Sequence, residues 1–92
     1  MKVDRKKKLK RIDWDIVKRI ILVLYNEGEQ RRTPLATKCN LNYANCLLYI
    51  QWLIFLDLIK WKAGEDDEDL VCLTEHGMKL GRKLQLILKY AN

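Results

Sequence analysis

The chain contains no serine and a single histidine, His76, which leaves little material for an enzyme active site. Nucleophilic catalysis needs an activated nucleophile beside a base, and no such partner stands near His76 in the sequence. Glycine is also scarce, and no glycine-rich phosphate-binding loop is present. We therefore expect neither enzymatic activity nor a cofactor.

The cysteines predict no disulfide framework and no zinc site, because Cys39, Cys46 and Cys72 are odd in number and lack CxxC spacing. The acidic run Glu65–Asp69 lacks the glycine and ligand spacing of a calcium loop, so we expect a solvated hairpin tip. The apolar stretch Ala44–Ile59 is too short and too often interrupted to span a bilayer. No signal peptide is expected either. These features predict a cytoplasmic protein without a metal site or membrane contact.

The excess of positive over negative charge is confined to the N-terminal end of the chain. The net charge is +6; residues 1–11 hold seven basic side chains and one acidic, whereas residues 12–92 hold eleven of each. We call residues 1–12 the basic arm and expect it to be flexible. It could bind nucleic acid, act as a solubility tail or lie on a membrane surface. Because it has few bulky apolar residues, we favour nucleic acid, with a steep salt dependence.

A helix-turn-helix is predicted in the middle of the chain. Thr33 is a suitable N-cap for a short helix, with Pro34 at its first position. Asn40 suits the left-handed residue that ends this helix, and Asn42 can cap the next one. Leu41 between them would hold the turn against a core. In such a pair, the second helix, here residues 43–56, is the one presented to the DNA major groove.

The remaining segments predict a winged helix. Asp13 would cap a first helix that ends before Gly28, and residues 29–32 could form an edge strand. Residues 58–62 and 70–73 would pair as a β-hairpin, the wing. The expected fold class is therefore mainly α with a small β-hairpin (α+β), a winged helix-turn-helix domain over residues 13–73 followed by a helix over residues 74–92.

The last helix is predicted to form a homodimer. Leu80, Leu84 and Ile87 repeat at coiled-coil-like spacing, while Leu88 and Tyr90 add apolar surface outside that seam. An apolar helix with no chain left to cover it favours a partner subunit. The alternative is that this helix packs back on the first helix.

Several segments together resemble a known family. They are Asn40–Tyr43, Tyr49-Ile50, Trp52-Leu53, Leu58-Ile59 and Leu73–Gly77. In order and spacing they resemble the small archaeal winged helix-turn-helix DNA-binding proteins, including chromatin proteins that dimerise through a C-terminal helix. The resemblance covers residues 16–88. It implies a non-enzymatic transcriptional regulator or chromatin-associated protein that binds double-stranded DNA as a symmetric dimer.

The predicted DNA-binding residues come from the arm, the two central helices and the wing. They are Lys6, Lys7, Lys8, Arg31, Arg32, Lys38, Asn42, Tyr43, Asn45, Lys60 and Lys62. Cations would hold phosphates, and Asn45 could read an adenine edge. The sequence leaves open that these are solvated surface groups, or that RNA replaces DNA. The alternative function is a protein-interaction module that uses Leu47, Leu48, Phe55 and the acidic wing.

Overall fold

The chain folds into four helices and a small sheet, as seen in a computed structural model that describes residues 11–90. The helices are α1 (Trp14–Glu27), α2 (Arg32–Lys38), α3 (Tyr43–Phe55) and α4 (Glu75–Tyr90). The strands are β1 (Gln30–Arg31), β2 (Ile59–Ala63) and β3 (Asp69–Leu73), with one turn of 3-10 helix over Glu65–Asp67 between the last two. The order of elements confirms the predicted winged helix of α+β class.

Helix α1 has both predicted ends. The side chain of Asp13 accepts a hydrogen bond from the backbone N–H of Asp15 at 3.0 Å, which satisfies one of the free donors of the first turn. At the other end, Gly28 adopts a positive φ of 85°, and its N–H donates to the carbonyl of Leu24 at 3.1 Å. A positive φ is open to glycine at little cost, so the helix ends here.

The sheet has three antiparallel strands in the order β1-β3-β2. In the β2–β3 hairpin, Trp61 lies opposite Val71. Strand β1 pairs with the other edge of β3 and places Arg31 opposite Leu70. The connector between α1 and α2 is therefore an edge strand, as predicted, and it ties the helices to the wing.

The core lies between α1, α2, α3 and the inner face of the sheet. Its buried apolar residues are Val17, Ile20, Ile21, Leu24, Leu35, Ala36, Cys39, Cys46, Tyr49, Ile50, Leu53, Ile59 and Val71. The one hydroxyl among them is satisfied, because Tyr49 accepts a hydrogen bond from the N–H of Asp13 at 2.9 Å.

The part of α4 up to Gln85 packs on the same chain. Leu80 and Leu84 are half-buried against the core, and Asn26 donates a hydrogen bond to Gln85 at 3.2 Å across α1 and α4. Two predicted dimer residues therefore already pack within the protomer, as the alternative had it. The last five residues of α4, 86–90, are different, because their apolar side chains are exposed in the single chain. These are Leu86, Ile87, Leu88 and Tyr90.

Two local predictions were wrong. Helix α2 begins at Arg32, so Thr33 is not its N-cap and Pro34 is not its first residue; the cap position is Arg31, without a side-chain hydrogen bond. The chain passes directly from the β1 ladder into the helix, which leaves no residue free to cap it. Pro34 still fits, since N–H groups of a first turn have no helical partner.

The ionisable and thiol groups of residues 11–90 form no metal centre, since no three His, Cys, Asp or Glu side chains lie together in a suitable arrangement. Burial raises the pKa of both the Cys39 and Cys46 thiols to about 11. These thiols stay protonated at neutral pH and are poor nucleophiles. In the same part of the chain, no helix combines the length and apolar character needed to cross a membrane.

We predict that Gly77→Ala destabilises the fold by about 1–3 kcal/mol, measured by denaturant unfolding. A Cβ at residue 77 would collide with the backbone carbonyl of Leu58, which is held by the Thr74 N–H at 3.0 Å and cannot easily move. The matched control is Gly81→Ala, whose Cβ would meet the Tyr25 ring at 2.7 Å. Because a side chain can shift and alanine favours the helix, this variant should lose less. Equal losses would contradict the prediction.

Candidate nucleic-acid interface

The turn between α2 and α3 has the predicted geometry. Asn40 adopts a left-handed conformation with φ of 58°, which asparagine tolerates better than most residues. The N–H of Leu41 then donates to the carbonyl of Ala36 at 2.9 Å, closing the end of α2. The Leu41 side chain is half-buried against the core. The two helices are therefore fixed relative to each other by both the backbone and an apolar contact.

Asn42 begins α3 as a true N-cap. Its side-chain oxygen accepts a hydrogen bond from the backbone N–H of Asn45 at 2.8 Å. This bond occupies the acceptor that a bidentate base contact would need. Asn42 is thus first of all a helix cap, whereas the side chain of Asn45 is exposed and makes no hydrogen bond among the described residues.

Helix α3 divides into a core face and an open face. Cys46, Tyr49, Ile50 and Leu53 face inward and are buried. Polar or small residues occupy the open face at the start and middle of the helix. These are Tyr43, Ala44, Asn45 and Gln51. Leu47 and Leu48 are half-buried, so they present less apolar surface than the sequence pattern implied.

Three of the predicted phosphate ligands are paired with carboxylates of their own chain. Arg31 Nε lies 2.7 Å from Glu68 Oε1, Lys38 Nζ lies 2.6 Å from Glu27 Oε1, and Lys62 Nζ lies 2.8 Å from Glu29 Oε2. The hydrogen bond that Lys62 donates to the Glu29 carboxylate raises the pKa of Lys62. Sequence reasoning missed these carboxylates, because each belongs to a different element from its cation.

The other two cations of the described interface are differently placed. The Arg32 guanidinium lies over the Trp61 ring, 5.8 Å from its centroid, which holds the side chain between α2 and the wing. Lys60 is exposed on β2. Within residues 11–90, neither forms an ion pair with a carboxylate, so both can meet a phosphate without losing a partner.

A single groove brings several of these residues together. It is lined by Arg31, Arg32, Thr33, Pro34 and Tyr43 together with acidic residues of the wing. The wing residues are Asp67, Glu68 and Asp69. Cationic and acidic side chains therefore line the same groove beside the start of α3. Lys38 lies apart from this groove, and the predicted ligands Lys6, Lys7 and Lys8 lie outside the described residues.

Three further contacts support the interface and were not anticipated. Arg19 on α1 donates to the carbonyl of Cys39 at 2.7 Å, placing a cation at the C-terminal end of α2. Asp57, with a positive φ of 60°, accepts from Thr74 Oγ1 through its carbonyl at 2.6 Å, and its carboxylate lies 2.8 Å from His76 Nδ1. The end of α3 is thereby tied to the start of α4.

Comparison with known proteins agrees with the architecture. Residues 10–92 match the family described as winged helix-turn-helix. No curated protein matches the chain. Among solved structures, the chain is similar to a MarR family regulator from Neisseria meningitidis, with a TM-score of 0.66 and 19% sequence identity. That match covers 97% of this chain but 63% of the other, so the likeness concerns the fold. The archaeal and chromatin parts of the resemblance stay predictions.

We predict that Asn42→Ala lowers the free energy of unfolding by about 1 kcal/mol, because α3 loses its cap. Asn42→Asp should retain most of the stability, since it keeps the acceptor. Asn45→Ala is the matched control, and because its side chain caps nothing, its effect should stay within about 0.5 kcal/mol. Chemical denaturation measures all three. An Asn42→Ala variant as stable as the parent would show that the cap bond is unimportant.

Proposed function

Because the chain belongs to the winged helix-turn-helix family, we propose that it is a DNA-binding transcriptional regulator that presents α3 to the major groove. The observation that carries the proposal is the rigid α2–α3 pair, with its open face of small and polar residues. An α-helix fits the major groove, and residues at the start of the second helix normally meet the base edges.

Asn45 is the residue we propose to read a base. Its amide carries both a donor and an acceptor, the combination that matches the N6 and N7 positions of adenine. Tyr43 stands beside it on the exposed first turn of α3 and at the wall of the groove. Since α3 has no lysine or arginine, its contacts would add sequence discrimination rather than general affinity.

Phosphate contacts would then come from outside α3. Arg32 and Lys60 are the described cations best placed for this role, because neither is paired with a carboxylate in residues 11–90. The basic arm, including Lys6, Lys7 and Lys8, would add the long-range attraction that dominates binding to DNA of any sequence. A regulator of this kind would work in the cytoplasm, where it meets its DNA.

We propose that the active form is a homodimer joined through residues 86–90 at the end of α4. The support is the exposed apolar surface there, with Ile87 exposed by 61% in the single chain. Leu88 and Tyr90 lie in the same segment, whereas Leu80 and Leu84 are already half-buried within the protomer. A two-fold dimer would place two α3 helices on half-sites about one DNA turn apart.

A protein-interaction module is the second candidate function. Phe55 at the end of α3 is 83% exposed, and the wing tip from Glu65 to Asp69 is entirely acidic. A basic partner with an apolar contact would match both features. Sequence-independent chromatin association is the third candidate function, in which the basic arm rather than α3 would bind the DNA.

We predict that the chain binds duplex DNA with a steep salt dependence, and that a chain starting at Ile12 binds more weakly but still measurably. Removing the arm removes seven cations, and the slope of log affinity against log salt falls by about 0.9 for each lost phosphate contact. Within the shortened chain, Arg32→Ala should weaken binding to all sequences, and Asn45→Ala should weaken only the preferred one. Fluorescence anisotropy measures these affinities.

Lys79→Ala on α4 serves as the control, because it removes one cation from the surface of α4, outside the described interface. If all binding is lost with the arm, α3 is not a reader, and the protein-interaction function is favoured instead. If Asn45→Ala leaves sequence preference intact, the base contact assigned to Asn45 is wrong.

We predict that Ile87→Gln shifts the protein from dimer to monomer, because it places a polar group in the proposed interface. Lys83→Gln, an exposed change on the same helix, should leave the dimer unchanged. Sedimentation equilibrium over a range of concentrations distinguishes these outcomes. A parent protein that is monomeric at all concentrations would contradict the dimer.

A further inference from the structure

We propose that Glu27, Glu29 and Glu68 limit the general, sequence-independent affinity of the interface for DNA, each holding a cation that would otherwise bind phosphate of any sequence. The inference rests on the proposed DNA-binding function and assigns a role to side chains that do not themselves touch DNA. Their effect would be to lower non-specific affinity, so that base contacts from α3 weigh more in the total.

The geometry of the three pairs is consistent. Each nitrogen–oxygen distance is short, at 2.7 Å for Arg31–Glu68, 2.6 Å for Lys38–Glu27 and 2.8 Å for Lys62–Glu29. All six side chains are partly solvent-exposed, from 40% to 62%, so a phosphate can reach the cations. The pairs are therefore surface contacts that DNA could compete with, rather than buried structural bonds.

The pairs also share a tertiary arrangement. Glu68 on the wing reaches Arg31 on β1, and Glu29 before β1 reaches Lys62 on β2. Glu27 at the end of α1 reaches Lys38 at the end of α2. In each case the acid and the cation come from different segments, so the neutralisation exists only in the folded chain. It covers three of the five cations predicted in the described interface.

Electrostatics gives the carboxylates their effect. A cation binds DNA by releasing counterions from the phosphates, and this gain depends on the positive charge it can offer. A carboxylate less than 3 Å away cancels that charge locally and repels an approaching phosphate. DNA must then either displace the carboxylate or accept a weaker contact. Both routes lower affinity for every sequence equally.

The consequence is a larger share of sequence-dependent binding. Because the pairs weaken binding to every sequence alike, the ratio of affinities between the preferred site and other sites stays the same, and only the sequence-independent part of the binding free energy falls. If the paired cations contribute little, general attraction comes from Arg32, Lys60 and the basic arm. The base contacts of α3 then make up a larger part of the remaining free energy.

The test compares Glu68→Gln with Glu65→Gln in the full chain, using a random-sequence duplex. Both variants remove one negative charge from the same wing tip. Of the two glutamates, only Glu68 forms an ion pair within residues 11–90. We expect Glu68→Gln to bind about two- to fivefold more tightly than Glu65→Gln at low salt. The effect is small because an exposed ion pair contributes little free energy. The difference between the two affinities should disappear at about 1 M salt, where the Debye screening length falls to about 3 Å.

A double-mutant cycle isolates the action through Arg31. In an Arg31→Met background, Glu68→Gln should gain no more affinity than Glu65→Gln does. If the two glutamine variants bind equally in the parent chain, only net charge matters and the inference is overturned. It is also overturned if the extra gain from Glu68→Gln persists without Arg31.

The same experiment separates the inference from the proposed function. A parent chain that binds duplex DNA, with Glu68→Gln no better than its control, overturns the inference alone. A parent and variants that all fail to bind at low salt overturn both. Thermal unfolding of each variant verifies that the compared proteins are equally folded.

Discussion

The antiparallel pairing of β3 with strands on both its edges is the constraint on which the interface depends. On one edge it holds β1, the segment between α1 and α2; on the other it holds β2. Val71 at its centre is buried in the core, so the register cannot slip by one residue without exposing the apolar face. This register places Arg31 within reach of Glu68 and puts Trp61 beneath Arg32. The helix-turn-helix and the wing are consequently one rigid surface.

Charge on that surface is arranged by folding rather than by composition. The chain beyond the basic arm has equal numbers of acidic and basic residues, and three of its interface cations face carboxylates from other segments. The excess positive charge is thus concentrated in the arm, whereas the folded body offers shape, hydrogen-bonding groups on α3 and two predicted interface cations, Arg32 and Lys60, that have no acidic partner among residues 11–90. In the proposed regulator, general affinity and sequence discrimination are therefore assigned to different parts of one short chain.

Local chemistry explains which predictions succeeded. Gly28, Asn40 and Asn42 were correctly assigned because a left-handed residue or a helix cap depends on the side chain and the few residues around it. Thr33 was misassigned because the β1 ladder, a non-local interaction, brings the chain into α2 two residues earlier. Tertiary pairing overrode a capping preference worth about 1 kcal/mol. Leu80 and Leu84 were predicted as dimer residues but pack within the protomer, because the spacing of apolar residues along a helix does not indicate which surface will cover them.

The sequence by itself determined the order of elements, the turn between α2 and α3 and the position of the excess positive charge. Each depends on periodicity, backbone preference or composition, all of which act over a few residues. Only the tertiary structure decided that Glu27, Glu29 and Glu68 neutralise predicted DNA ligands, that Arg32 lies over Trp61, and that α4 is packed up to Gln85 but exposed over residues 86–90. These contacts join residues far apart in the chain, and their distances exist only after the strands have paired and the helices have packed.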